Sequence, residues 1–110
     1  MKSSSTGTAE PGSPGTVIRA LADPLRARIV ELLAGEMLCT CHLVELTGAG
    51  QTNVSNHLRV LRKARLIEAE PAGRFTYYRL CPEALDALTA QYADLADRAR
   101  TAGRTKRPCT

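Results

Sequence analysis

The chain contains no tryptophan, one phenylalanine and two histidines. A core without large aromatics has to be aliphatic, made mainly of Leu, Val, Ile and Ala. No apolar run approaches the roughly 18 residues of a membrane span. The N-terminal stretch has no apolar signal-peptide core, so the expected location is the cytoplasm, with no membrane partner. A catalytic constellation is also missing: there is no nucleophile–base pair, no phosphate-cradling glycine loop and no acid pair, so the chain does not read as an enzyme. In a reducing compartment its four cysteines, Cys39, Cys41, Cys81 and Cys109, read as free thiols, metal ligands or redox switches, not as a disulfide framework.

What is present suits a soluble globular protein, with 44% hydrophobic and 24% charged residues. A length of 110 residues allows one domain with a thin core, which often needs a partner subunit, a metal or disulfides for support. The net charge of +4 is modest, but it is unevenly spread. Between Gln51 and Leu80 stand Arg59, Arg62, Lys63, Arg65, Arg74 and Arg79, against only Glu68 and Glu70. Arg98, Arg100, Arg104, Lys106 and Arg107 form a second basic cluster. Such density in one segment suits a phosphate backbone.

Residues 1–15 are Ser-, Thr-, Gly- and Pro-rich and are expected to be disordered. Thr16 to Ala22 places Val17, Ile18 and Leu21 on one helical face. Asp23-Pro24 restarts a helix, with Asp as N-cap and Pro at the first helical position. That helix carries Leu25, Ile29, Leu32 and Leu33 and stops at Gly35. A short helix from Cys41 to about Leu46 and a longer one from Gln51 to about Ala64 flank the small residues Thr47-Gly48-Ala49-Gly50, a helix-turn-helix arrangement. Leu66 to Glu70 and Phe75 to Leu80 alternate about a turn at Pro71 to Arg74, as a β-hairpin does. Pro82 opens a last helix with Leu85, Leu88, Tyr92 and Leu95 spaced by three and four. The expected fold is therefore mainly α with a small β-hairpin wing, in the order α-α-α-α-β-β-α. The folded domain spans residues 16–97 and a basic flexible tail spans 98–110.

The helix from Gln51 separates its faces clearly. At roughly 100° per residue, Val54, Leu58 and Leu61 point one way while Thr52, Asn56, Arg59 and Lys63 point the other. Asn53 and Ser55 flank the polar face, and Gln51 stands at the helix N-terminus, where the dipole favours phosphate. Asn reads adenine bidentately and Arg reads guanine. With Arg74 of the wing on the backbone, this gives a DNA-binding set of Gln51, Thr52, Asn53, Ser55, Asn56, His57, Arg59, Lys63 and Arg74. His57 lies at the edge of the core face, where a packing role is the stronger reading and a base contact the weaker.

Three segments together resemble the ArsR/SmtB family of metal- and metalloid-responsive repressors. Ala20 to Leu33 is similar to the opening of those proteins, Gln51 to Ala64 to their recognition helix, and Gly73-Arg74 with Tyr77-Tyr78 to their wing. The resemblance implies a winged helix-turn-helix homodimer built on the first and last helices. It also implies operator binding without inducer and release with it. Gly50 departs from the Ser-like cap more usual there, with little expected consequence.

The family's zinc-type site uses His and carboxylates on the last helix. Here that helix carries Asp86, Asp94 and Asp97 but no His, so a zinc, nickel or cobalt sensor is disfavoured. Cys39-Thr40-Cys41 instead resembles the Cys-x-Cys of the arsenic-sensing branch. Thiolates match soft ions, and the analogy points to As(III) or Sb(III), with Cd(II) or Pb(II) as the alternative. Position 44, where that branch often has a third Cys, is Val44, so Cys109 is the candidate third ligand beside Cys39 and Cys41; Cys81 reads as a small buried hydrophobe. A helix start lowers thiol pKa and so favours ion capture by the pair. Two cysteines two apart point about 200° from each other on an ideal helix, so either Cys39 lies just before the helix or binding distorts its first turn. The rival readings are a redox switch of the same fold and, less in keeping with the polar helix face, a thiol metal buffer.

Overall fold

The computed structural model describes residues 12–109. Helix α1 spans Pro14–Leu21, with Ser13 as N-cap accepting from the Thr16 N–H and proline at the first helical position. Pro14 and Gly15 were expected in a disordered tail and instead form its first turn; residues 1–11 of that stretch lie outside the described residues. Helix α2, Pro24–Gly35, starts as its Asp-Pro signal requires: Asp23 Oδ1 accepts from the N–H groups of Leu25 at 2.8 Å and Arg26 at 3.1 Å.

Then comes β1, Leu38–Cys39, which the alternation of the sequence did not reveal. Helix α3 (Thr40–Thr47), helix α4 (Gln51–Lys63), strands β2 (Ile67–Ala72) and β3 (Phe75–Leu80), and helix α5 (Pro82–Ala102) complete the order. The three strands form an antiparallel sheet in the order β1-β3-β2. Because β2 is an edge strand, it tolerates Pro71. Ala72 pairs with Phe75, leaving Gly73-Arg74 as a two-residue hairpin turn. Gly73 has φ +63, the positive value a tight hairpin needs at its first central position.

The core is aliphatic, as the missing aromatics demanded. Val17 and Ala20 of α1, Ile29, Val30 and Leu33 of α2, Leu43 of α3, and Val54, Leu58 and Leu61 of α4 close over Leu38, Leu66, Ile67 and Ala84. None of the described buried residues is polar or charged. The last helix is longer than expected. It runs to Ala102, past the boundary placed at residue 97, and ion pairs Arg98–Asp94 at 3.3 Å and Arg100–Asp97 at 2.6 Å line the added turns. Charge spaced three and four apart supports a helix here where composition alone suggested a tail. Helix α5 packs on α1, yet Ile18, Tyr92 and Leu95 on these two helices remain exposed.

The end of α4 sets the direction of the wing. The Leu66 N–H donates to the Leu61 carbonyl and the Arg65 N–H to the Arg62 carbonyl, both at 3.0 Å, and the Leu61 and Leu66 side chains are fully buried. This is a Schellman ending. Its left-handed position, normally a glycine, is held by Arg65 at φ +63, the one described non-glycine residue with positive φ. The left-handed conformation costs an L-residue on the order of 1–2 kcal/mol, more than glycine's added chain entropy returns. Arg65→Gly is therefore expected to stabilise the fold by on the order of 1 kcal/mol. Urea unfolding at fixed protein concentration measures this, and a loss of stability in the variant would show that the Arg65 side chain, not its backbone, governs the corner.

Candidate nucleic-acid interface and thiol site

Helices α3 and α4 are joined by three residues. Gly48, at φ +77, caps α3 in the left-handed conformation, and its N–H donates to the Val44 carbonyl. The Thr47 hydroxyl donates to the Leu43 carbonyl at 2.6 Å and accepts from the Ala49 N–H at 3.2 Å, which tightens the turn. Gly50 then starts α4 without a side-chain cap. The first N–H groups of α4 are thus left to an outside acceptor such as a phosphate.

Helix α4 presents the faces its periodicity implies. Val54, Leu58 and Leu61 are buried, while Gln51, Thr52, Asn53, Asn56, Arg59 and Lys63 are exposed and Ser55 is half-buried at the border. The Arg59 guanidinium donates to Asn56 Oδ1 at 2.9 Å, so two of the residues best suited to reading bases form one unit on the outer face. Arg74 is exposed in the wing turn, beside an exposed Phe75. His57 is the exception among the DNA-binding candidates. Its Nδ1 lies 3.0 Å from Arg26 Nη1 and its Nε2 3.9 Å from Asp23 Oδ1, which takes the ring off the outer face and into the contact between α4 and the start of α2.

The thiols converge at the other end of the helix-turn-helix. Cys39 is the last residue of β1 and the N-cap of α3, with φ −89 and ψ 171, so it stands just before the helix, as the first of the two expected alternatives requires. An extended Cys39 followed by a helical Cys41 escapes the 200° divergence, and the two Sγ atoms lie 2.6 Å apart. His42, not counted among the candidate ligands, completes a cluster whose donor atoms lie within 4.8 Å of one another. Its Nδ1 accepts from the Cys39 N–H at 3.2 Å, is 3.3 Å from Cys39 Sγ, and its ring meets Tyr77 at 6.0 Å. The available signal was that His42 directly follows the Cys-x-Cys. Cys109, named as third ligand, is exposed beyond α5 and is not part of this cluster within the chain. Cys81 is buried.

The two thiols are not equivalent, although a helix start was expected to favour both thiolates. Burial works against a Cys39 thiolate, but hydrogen bonds from the Cys41 thiol and from the N–H groups of His42 and Cys41 outweigh it and hold Cys39 below the usual thiol range. Cys41 is pushed up, first because its thiol is the donor to Cys39, then by burial and by the charge on Cys39. The pair therefore ionises one proton at a time, Cys39 first. Burial, followed by the nearby Glu68 carboxylate, raises the Cys81 thiol. Taken together, the site offers two soft sulfurs and one imidazole, half-exposed, at the hinge between a sheet strand and the first helix of the helix-turn-helix.

The sequence model for "Bacterial regulatory protein, arsR family" matches residues 23–69. The arsenic resistance transcriptional regulator of Pseudomonas putida is 36% identical over 86 residues, covering 77% of this chain and 67% of that protein. The chain belongs to the ArsR family. A transcriptional repressor SmtB homolog from Synechocystis is 39% identical over 75 residues, 68% of this chain and 57% of its own length. Among solved structures, a homodimeric winged helix-turn-helix DNA-binding domain from Mycobacterium bovis, described as a possible ArsR-family transcriptional regulator, superposes with a TM-score of 0.62 at 29% identity, over 84% of this chain and 86% of that one. This ArsR-family chain thus has a winged helix-turn-helix fold and belongs among transcriptional regulators, not enzymes.

For an ArsR-family chain with this outer face, Arg59→Ala is expected to cost about 1–3 kcal/mol of specific DNA affinity if the guanidinium reads a base. If it meets only phosphate, the loss is uniform across sequences and the salt slope falls by about 1. Fluorescence anisotropy on a selected duplex and on an unrelated one, at several salt concentrations, separates the two. Unchanged affinity in both Arg59→Ala and Asn56→Ala would remove α4 as the reading helix.

Proposed function

We propose that the protein is a homodimeric repressor that holds operator DNA through α4 and the wing and releases it when Cys39 and Cys41 capture As(III) or Sb(III). The observation that carries this reading is the convergence of two thiols at the β1–α3 junction, in line with the DNA-facing elements. Cys39 pairs with Tyr77 of the wing strand β3, and α3 packs on α4. The arsenic resistance regulator of Pseudomonas putida, similar over most of this chain, supports the choice of ion. The exposed Ile18, Tyr92 and Leu95 on α1 and α5 support a dimer, as does the homodimer described for the Mycobacterium bovis domain. Two α4 helices would then read half-sites about 34–36 Å apart.

The donor set fits a thiophilic inducer: sulfur is the matching ligand for a soft ion, and Cys39 is already poised toward the thiolate. Joining Cys39 and Cys41 fixes the backbone at the β1–α3 junction. A shift there moves α3 against α4 and β1 against the wing, changing the placement of both DNA-contacting parts. Release requires the ion to favour the shifted form over the DNA-bound one, since equal binding to both shifts nothing. Cys109, the other exposed thiol, is the candidate for the third sulfur that As(III) prefers, supplied by either protomer.

A second reading has an observation of its own. His42 stands within the thiol cluster, and two sulfurs with one imidazole suit a soft divalent ion such as Cd(II) better than As(III). Arsenite, cadmium and peroxide, added separately to the operator complex, distinguish these readings from a dithiol redox switch. Cys39→Ser and Cys41→Ser are expected to bind operator like the parent and to fail to release it with arsenite. Cys109→Ser weakens the arsenite response, Cys81→Ser leaves it intact, and His42→Gln impairs only a cadmium response. If Cys39→Ser and Cys41→Ser both release as the parent does, the inducer site lies elsewhere.

A further inference from the structure

The contact that removes His57 from the DNA face has a role of its own. Arg26, on the first turn of α2, makes two bonds: its Nε donates to the Ala20 carbonyl at 2.7 Å and its Nη1 lies 3.0 Å from His57 Nδ1. Ala20 belongs to the last turn of α1, whose carbonyls lack partners within their own helix. One guanidinium therefore ties the end of α1, the start of α2 and the middle of α4 together.

The chemistry of the contact fixes the state of the ring. A guanidinium has donors and no acceptor, so His57 Nδ1 accepts from it only when it carries no proton. The neutral ring then bears its proton on Nε2, which faces Asp23 Oδ1 at 3.9 Å. That carboxylate oxygen is already engaged as the α2 N-cap, accepting from the Leu25 and Arg26 N–H groups. Asp23 and Arg26 are the ionic contacts of His57 among the described residues. One turn away along α4 stand Asn53, Val54, Val60 and Leu61, none of them charged. Protonating Nδ1 replaces a hydrogen bond with two cationic donors facing each other at 3.0 Å, and the distant, occupied Asp23 oxygen offers a weaker contact in exchange.

We infer that His57 is a positioning residue: in its unprotonated form it accepts from Arg26, locks α4 to the α1–α2 corner, and makes specific DNA binding sensitive to mild acid. This rests on reading α4 as the DNA-contacting helix. The sign is distinctive. Adding positive charge to a DNA-binding protein ordinarily strengthens its hold on phosphate. Loss of the Arg26 contact instead frees α4 to tilt, which weakens operator binding and leaves nonspecific binding intact or stronger.

The test uses the full chain without added ion and a duplex selected from random-sequence DNA at about pH 8, with affinities followed down to about pH 5.5, the range over which a histidine charge changes. The parent is expected to lose specific affinity about tenfold or more over that range, with undiminished binding to unrelated duplex. His57→Asn retains a carbonyl oxygen near the Nδ1 position and cannot titrate, so it is expected to bind with a flat pH profile. His57→Leu leaves Arg26 without its acceptor and is expected to bind specific duplex weakly at every pH while keeping nonspecific binding. A parent affinity that is constant or rises toward acid overturns the inference, as does a His57→Asn variant that keeps the parent's slope. Failure of the parent to select any duplex at about pH 8 overturns the DNA reading itself. Circular dichroism at the lowest pH separates loss of binding from loss of fold, and unfolding of the parent there with His57→Asn still folded also overturns the inference, because the group would then support the fold and not the placement of α4.

Discussion

The arrangement of the molecule depends on the burial of one apolar stripe, Val54, Leu58 and Leu61, from a helix that is otherwise polar. With no large aromatic to fill the interior, these three side chains share one aliphatic cluster with residues of every other helix and with Leu38, Leu66 and Ile67. Burying a residue of this kind is worth roughly 1.5–3 kcal/mol, so rotating α4 about its axis would forfeit several such contributions at once. The rotation of the helix is thereby set, and with it the outward direction of Thr52, Asn56, Arg59 and Lys63. Function in this protein begins as a packing constraint.

The same constraint explains how two distant chemistries reach one helix. At one end, the thiol pair sits where β1 becomes α3, and α3 packs on α4. At the other, Arg26 and His57 anchor α4 to the corner between α1 and α2, and α1 carries part of the face assigned to the dimer. A helix held by a thin core and one polar tie needs little displacement to lose register with DNA, since half-site reading in a dimer depends on the spacing of two copies. Core packing sets the rotation of α4, and the Arg26–His57 contact ties its middle to the α1–α2 corner.

Much of this was legible in the sequence because period and caps are local signals. The stripe of α4, the Asp23-Pro24 start, the Gly48 turn and the Gly73-Arg74 hairpin each follow from residues within a few positions of one another. What the sequence did not disclose depends on contacts between distant segments. Strand β1 has only two residues, and it exists because Tyr77 and Tyr78, about forty positions away, accept it as a neighbour. His42 joins the thiols only because Cys39 is extended and Cys41 helical. The acceptor role of His57 needs Arg26, thirty-one positions earlier. The length of α5 was underestimated because its final turns are charged; spacing, not composition, held the answer.

On the proposed function, filling the Cys39–Cys41 site and leaving the DNA are one event. The most direct test follows both at once, titrating arsenite into the operator complex while recording sulfur–arsenic charge-transfer absorbance and DNA anisotropy on the same sample. The expected result is that the absorbance rises as the anisotropy falls, with one midpoint and both changes complete at one ion per protomer. Release without the thiolate absorbance, or full absorbance with the DNA still bound, would contradict it.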